Sequence, residues 1–259
     1  MLQGPAAFAD YPVGKGRVNL ILSYNNLSTR KFFDREGKLN SYGPGEKFIS
    51  HSYNINFLYG ISRNVDFFIS APWVNQTLKA PQFSDQNQGV GDITAGFSYH
   101  VPSAEYKSYF SVKAHAIIPG YKNIETPFLG YSLAGAQLGI NYSFAPFKSG
   151  YCIVEAFYVR YFDVDGPNQF RGSFIIGKML DQYTPLTFSY THTSSWSGDI
   201  TFNPNTVLNK DFYSGNIGLS IGRRISRVIT PSVTANYTVY GRNMGQGIGL
   251  SAMLAFRLP

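Results

Sequence analysis

The stretch Tyr190-Thr191-His192-Thr193-Ser194-Ser195 holds the sharpest chemical possibility in this chain. His192 and Ser194 are two positions apart, so an extended strand carries both on one face. An imidazole there can take the proton of a serine hydroxyl if a third group holds the ring in the right tautomer. No third group is obvious. Alternation places Asn216, on the next strand, on the opposite face. Alternation with Leu186, Phe188 and Tyr190 places His192 and Ser194 on the apolar face. The alternative is an interfacial histidine beside ordinary strand-end serines. His51, His100 and His115 fall on separate predicted strands without ligand spacing, so neither a metal site nor a cofactor is expected. The single cysteine, Cys152, leaves no intrachain disulfide and no cysteine-based metal site.

The elements that position these residues are set by an unusual composition. Charged residues are 14% of the 259, against about a quarter in ordinary soluble domains. Aromatic residues reach 16%, and there are 26 glycines. Mean hydropathy is −0.13, and no apolar run approaches the roughly 18 residues of a membrane helix. A soluble domain and a helical membrane protein each conflict with part of this. A transmembrane β-barrel agrees with all of it, because lipid-facing and lumen-facing residues alternate and their hydropathies cancel. The formal net charge is +7, from 22 scattered basic residues rather than a run. Scatter argues against nucleic acid as a partner. It fits a solvated cationic surface, or loops lying against anionic lipid headgroups.

Period-two segments recur along the whole chain. They cover 17–26, 49–59, 65–74, 92–101, 108–118, 131–144, 151–162, 170–179, 185–195, 212–223, 228–240 and 247–258. That is about twelve strands, each near the ~9–11 residues needed to cross a bilayer at a tilt. Connections alternate long (27–48, 75–91, 119–130, 196–211) and short (60–64, 102–107, 145–150, 180–184, 224–227). The segment 163–169 fits that alternation less well. The expected fold is all-β: a closed, antiparallel, up-and-down transmembrane barrel. It has short periplasmic turns, long external loops and both termini on the periplasmic side of a bacterial outer membrane. Closure is required because an open edge would leave N–H and C=O groups unpaired in lipid.

The faces agree from strand to strand. Ile93, Ala95, Phe97, Tyr99 and Val101 oppose Thr94, Gly96, Ser98 and His100. Tyr53, Ile55, Phe57 and Tyr59 oppose Ser52, Asn54 and Asn56. The greasy face should meet outer-membrane lipid, with Tyr24, Tyr59, Trp73 and Tyr99 at the interfaces. The other face should line a lumen. Its expected lining includes Arg17, Asn19, Asn54, Asn56, Asp66, Ser98 and Lys113 in the first half. His115, Asn141, Glu155, Arg171, Asn216 and Asn236 continue it. Small neutral side chains leave space and bond water, which predicts a narrow hydrated pore for small solutes. The alternative is a lumen closed by infolded loops or by salt bridges among those charges. No aromatic slide is visible on the inner face. The charged segment 27–48, with Phe32 and Phe33, is expected to pack on the rim or lie over the lumen.

Other motifs read structurally. Gly89 and Gly91 allow close approach where a loop joins a strand, and Asp92 is expected to bond nearby backbone N–H groups. A ligand site at this loop edge is the alternative. Pro72 and Pro119 sit near external strand ends, where a missing N–H costs least. "GRNMGQG" (241–247) is glycine-rich with no helix after it, so it reads as a flexible external loop, not a phosphate cradle. Residues 1–9 end in Ala7-Phe8-Ala9, which reads as a signal-peptide remnant or a cloning scar. Residues 10–259 then form one barrel domain.

Four stretches in order, "KFFDREGKL" (31–39), "YGISRNVDFFISAPWV" (59–74), "GVGDITAGFSYHV" (89–101) and "HAIIPG" (115–120), resemble the outer-membrane barrel family named for the meta pathway of phenol degradation. The resemblance implies uptake of small organic, including aromatic, compounds. It is carried by the first half; residues 121–259 match only in general barrel style. The ending "AFRLP" departs from the terminal aromatic usual in such barrels, so that signal is absent or sits at Phe256. The His192/Ser194 spacing also looks like the His-x-Ser pair of outer-membrane phospholipases and lipid A deacylases. Ser195-Trp196 stands where their Asn-Gly would follow. The reading is therefore a channel or transporter, not an enzyme. A lipid hydrolase and a sealed, partner-binding barrel are the alternatives.

Overall fold

The computed structural model describes residues 11–201 and 209–259; the segment 1–9 lies outside the described residues. The strands are β1 (Val18–Phe33), β2 (Leu39–Ser41), β3 (Lys47–Gly60), β4 (Val65–Ala80), β5 (Phe83–Val90), β6 (Asp92–Pro102) and β7 (Ser108–Pro119). Then follow β8 (Gly135–Phe144), β9 (Gly150–Tyr161), β10 (Asn168–Met179), β11 (Pro185–Trp196), β12 (Phe212–Gly222), β13 (Ile229–Arg242) and β14 (Met244–Leu258). Neighbouring strands pair antiparallel in the order β1, β3, β4, β6 and on to β14, with β2 on β1 and β5 on β4, and β14 pairs with β1 from Val18↔Leu258 to Phe33↔Met244, which closes the sheet on itself. β5 and β6 together occupy one barrel position, and β2 is a short addition to β1. The wall therefore has twelve strand positions, and closure leaves no edge to satisfy in lipid.

Burial is inverted relative to a soluble protein. In β7, Ser111, Lys113, His115 and Ile117 are buried while Phe110, Val112 and Ile118 are exposed. In β8, Gln137, Asn141 and Ser143 are buried while Leu138, Ile140 and Tyr142 are exposed. The same pattern runs through β11 to β14, giving a continuous apolar outer belt of the kind a bilayer covers.

The strands outrun the sequence expectation at one end. The segment 27–48 is not a loop: β1 continues to Phe33 and forms a hairpin with β2 around the Asp34 turn. The segment 75–91 is likewise mostly strand, with β4 and β5 paired from Trp73↔Val90 to Ala80↔Phe83. The segment 241–247 is a tight hairpin in which Asn243 alone separates β13 from β14, at a φ of 53°. These stretches lack apolar alternation because their strands project beyond the belt. Backbone pairing in a hairpin needs none. Among the described residues, the long connection 120–134 remains at this loop end, together with 197–201 and 209–211 between β11 and β12. The opposite, turn end carries only the short connections 61–64, 103–107, 145–149, 180–184 and 223–228.

Pro72 marks a change of partner. Val65–Ser70 of β4 pair with β6, whereas Trp73–Ala80 pair with β5. Proline has no donor to lose at the switch, and its carbonyl accepts the Gly91 N–H at 2.8 Å. At the turn end, residues 11–17 fold back under the barrel. Gly60 admits them: a Cβ there would stand 1.9 Å from the Gly14 carbonyl oxygen, so only glycine fits.

Candidate functional site

The lumen is two-sided. From β11 round to β3 its wall is small and neutral: Thr187, Ser189 and Ser195, then Ser214, Asn216 and Ser220, then Thr234, Asn236 and Thr238, then Ser251. Asn19, Asn54 and Asn56 complete this wall. The side chains bond one another across strands, as in Thr238 to Asn216 at 2.8 Å and Asn25 to Ser52 at 3.3 Å.

From β4 to β10 the inner face is bulky, aromatic and charged. Lys113 pairs with Glu155 at 2.6 Å, and its ammonium lies 5.7 Å from the centre of the Phe157 ring. Asp66 faces His100 at 3.0 Å, and His100 Nδ1 is hydrogen-bonded to the Ser111 hydroxyl at 2.7 Å. Arg171 donates to Gln169 at 2.6 Å and to the Tyr161 hydroxyl at 3.3 Å. Asp92 is buried and turns its carboxylate toward the Tyr121 hydroxyl rather than to nearby backbone N–H groups. The His115 ring bonds Gln137 at 2.8 Å and lies against Phe68 and Phe157. Tyr151, Phe157 and Tyr161 of β9 all face inward. Phe157 covers Gly139, where a Cβ would stand 2.2 Å from the ring.

An inner aromatic surface is therefore present, contrary to the sequence expectation. Two further groups close on it. The connection 120–134 folds into the loop end: Tyr131 packs edge-on against Tyr161 at 5.0 Å, accepts from Gln169 at 3.3 Å and donates to the Asn209 carbonyl at 3.1 Å. Ile117, Phe157, Val159 and Tyr161 form a buried cluster with Tyr131 and Leu133. At the turn end, the Val13 N–H donates to Asp66 at 2.9 Å, and the Tyr11 ring meets Tyr109 edge-on at 5.2 Å. The infolded elements are thus 120–134 and 11–17, not 27–48. Sequence reasoning placed Tyr131 at the start of the segment 131–144, whereas β8 begins at Gly135 and Tyr131 belongs to the connection before it.

Of the expected lining residues, Asn19, Asn54, Asn56, Asp66, Ser98, Lys113, His115, Asn141, Glu155, Arg171, Asn216 and Asn236 lie on the inner face. Arg17 stands at the turn-end rim, exposed, ahead of β1.

His192 and Ser194 lie on the outer face toward the loop end. His192 Nε2 is 2.8 Å from Ser194 Oγ, and Nδ1 is 2.9 Å from the Tyr240 hydroxyl, itself 2.5 Å from that of Tyr190. The third group absent from the sequence reading is therefore Tyr240, brought in by a register shift between Gly215 and Asn216. The backbone N–H groups around His192 face ladder partners Gly172 and Gly215, which leaves no pair of donors aimed at an oxyanion.

Side-chain charge divides unevenly between the two ends. The turn end holds ten basic residues: Lys15 and Arg17 before β1; Arg63, Lys107 and Lys148 in turns; Lys178; and Arg223, Arg224, Arg227 and Arg257. Against them, among the described residues, stand three side-chain carboxylates, Glu105, Asp181 and Asp66. The loop end is nearly balanced, with Asp34, Glu36, Glu46, Asp85, Glu125 and four further aspartates against ten bases.

No family model and no curated sequence matches this chain. Solved structures match its fold. The structure described as the COG4313 outer membrane channel from Pseudomonas putida F1 has a TM-score of 0.80 at 13% identity, covering 99% of this chain and 100% of that one. The Pseudomonas putida toluene transporter TodX has a TM-score of 0.54 at 9% identity, covering 98% and 93%. The NanC porin has a TM-score of 0.54 at 9% identity, covering 93% and 99%.

Proposed function

We propose that this barrel lies in a bacterial outer membrane with both termini periplasmic, and that it passes small organic solutes by diffusion through its lumen. The carrying observation is the two-sided inner wall. A neutral Ser/Thr/Asn surface faces an aromatic one, the lumen cation Lys113 is paired with Glu155, and Arg171 is held by Gln169 and the Tyr161 hydroxyl. Such a passage offers stacking surface to an amphipathic or aromatic molecule. The resemblance to barrels of phenol degradation and the fold shared with a toluene transporter support this solute class.

The test is single-channel conductance of the detergent-purified chain in a planar bilayer, with and without a small aromatic such as phenol. Small discrete steps, partly blocked by phenol, are expected. Tyr131→Ala should enlarge them by loosening the infolded connection. Correctly inserted protein that stays silent in both forms would overturn the reading.

The hydrogen bonds His192–Ser194 and His192–Tyr240 favour one other reading, a lipid hydrolase working from the outer face. Ser194→Ala decides it: lipid hydrolysis present in the parent and lost in the variant would establish it. Absence of hydrolysis in both would leave this set as an interfacial hydrogen-bonded cluster.

A further inference from the structure

A cavity of about 600 Å³ lies at the turn end, between the strap 11–17 and the turns 61–64, 103–107 and 145–149, within the ~300–1,000 Å³ range of small-molecule sites. Tyr11, Pro12 and Gly14 of the strap form one wall, and the facing wall carries Arg63, Tyr106, Lys107 and Tyr109. Tyr109 has the inward parity of Ser111 and Lys113, so the cavity sits in the mouth of the lumen. Its walls are fixed by a buried polar chain. The Val13 N–H donates to Asp66, Asp66 faces His100, and His100 bonds Ser111; the residues Asp66, His100 and Ser111 are 3%, 1% and 0% exposed. That chain pins the strap beneath the barrel. The His100 N–H donates to the Asn64 carbonyl at 2.8 Å, which ties the turn bearing Arg63 to the same strand.

The cavity presents rings and an unpaired cation together. Among the described residues, Arg63 has no carboxylate partner. Lys107 pairs with Glu105 at 2.5 Å, but their side chains are 78% and 71% exposed, and a pair so solvated costs little to open. Tyr106 holds its ring out at the rim, 69% exposed, at a φ of 56°. The wider field has the same sign as Arg63: ten bases share this end with three side-chain carboxylates, one of them the buried Asp66. A field of that sign draws anions to the mouth and repels cations.

We propose that this cavity binds small aromatic carboxylates, with the carboxylate on Arg63 and the ring against Tyr106 and Tyr109. The inference rests on the channel reading above and narrows its solute class from small organic molecules to aromatic acids. A guanidinium offers two parallel N–H donors to the two oxygens of a carboxylate, a pairing stronger than a neutral hydrogen bond. Tyrosine rings supply the offset and edge-on contacts that an arene prefers. A neutral arene uses only the rings, and a small aliphatic acid uses only the guanidinium. The cavity therefore favours the molecule that carries both groups. At the turn-end mouth it collects such solutes as they leave the lumen.

Ligand-observed NMR titrations of the detergent-purified full chain test this with benzoate, benzyl alcohol and acetate as separate probes. Benzoate should bind about tenfold more tightly than either of the others. Arg63→Gln should reduce benzoate to the level of benzyl alcohol, whereas Arg227→Gln, an equal charge change in the turn 223–228, should leave it. Tyr106→Asn should weaken benzoate and benzyl alcohol about threefold and leave acetate unchanged. Asparagine accepts the positive φ, so the turn itself is kept. Heat-modified electrophoretic mobility confirms that each variant is folded. Equal binding of benzoate and acetate, the signature of a plain anion site, would overturn the proposal. So would the absence of benzoate binding, equal binding of benzoate and benzyl alcohol, or a preference that survives Arg63→Gln. Binding is read without flow through the pore. A silent bilayer with the benzoate preference intact counts against the channel reading alone, and a conducting barrel without that preference counts against this site alone.

Discussion

At the residue scale, the lumen is governed by charges that are covered by partners. Lys113 and Glu155 are largely enclosed, with side chains 10% and 19% exposed. Breaking a buried pair from one side is costlier than never having had it, because the other charge stays desolvated. Glu155→Gln should therefore lower the midpoint of denaturation by urea and leave Lys113 to attract anions. The reversal potential across a salt gradient should shift toward anion selectivity. Lys113→Gln should shift it the opposite way, since Glu155 then faces the lumen alone. An unchanged reversal potential in both would mean that permeating ions do not pass this pair. His192, Ser194 and Tyr240 show how little a two-residue spacing decides. The pair was readable from His192 to Ser194, whereas the partner at Nδ1 comes from a strand 48 positions away.

At the element scale, two short segments shape the turn end. The strap 11–17 depends on the absence of a side chain at Gly60. Gly60→Ala forces the Gly14 carbonyl away and should displace Val13 from Asp66, opening the turn end. Larger conductance steps with an intact heat-modified gel shift are expected; unchanged steps would show that the strap does not limit flow. The turn 180–184 is a pH-sensitive element. Asp181 accepts N–H bonds from Tyr183 at 2.6 Å and Thr184 at 2.8 Å and the Thr184 hydroxyl at 3.0 Å, with Arg223 alongside. Led by the Tyr183 N–H, these contacts hold its carboxyl below the ordinary value of 3.8. A lowered folded value means the stabilisation is fully present above the unfolded value and is lost as pH falls through the folded one. The amide proton shifts of Tyr183 and Thr184 should titrate with a midpoint below 3.8, and Asp181→Asn should flatten them.

At the scale of the whole molecule, closure and inverted burial belong together. A sheet with Phe97, Leu138, Ile140 and Leu219 outward and no free edge is stable only where lipid covers it. The chain should remain in membranes through alkaline carbonate washing, leave them only in detergent, and migrate differently on gels before and after boiling. Release by the carbonate wash alone would contradict a membrane-spanning barrel. The order of strands, their approximate number and the face of nearly every strand residue were legible in the amino-acid sequence, because side-chain direction alternates with period two whatever the partner strand. The hairpins above the belt, 27–48 and 75–91, were misread as loops because that alternation disappears outside lipid while backbone pairing continues. The aromatic inner sector was readable in principle: Glu155 had been placed inward, and Tyr151, Phe157 and Tyr161 share its parity. By itself, then, the sequence determined a barrel, its two faces and its polar lining. Only the tertiary structure decided which charges meet, which segments enter the lumen, and that the positive charge gathers at one rim. Those depend on register and closure, which bring together residues as distant as Lys113 and Glu155, and no local pattern encodes them.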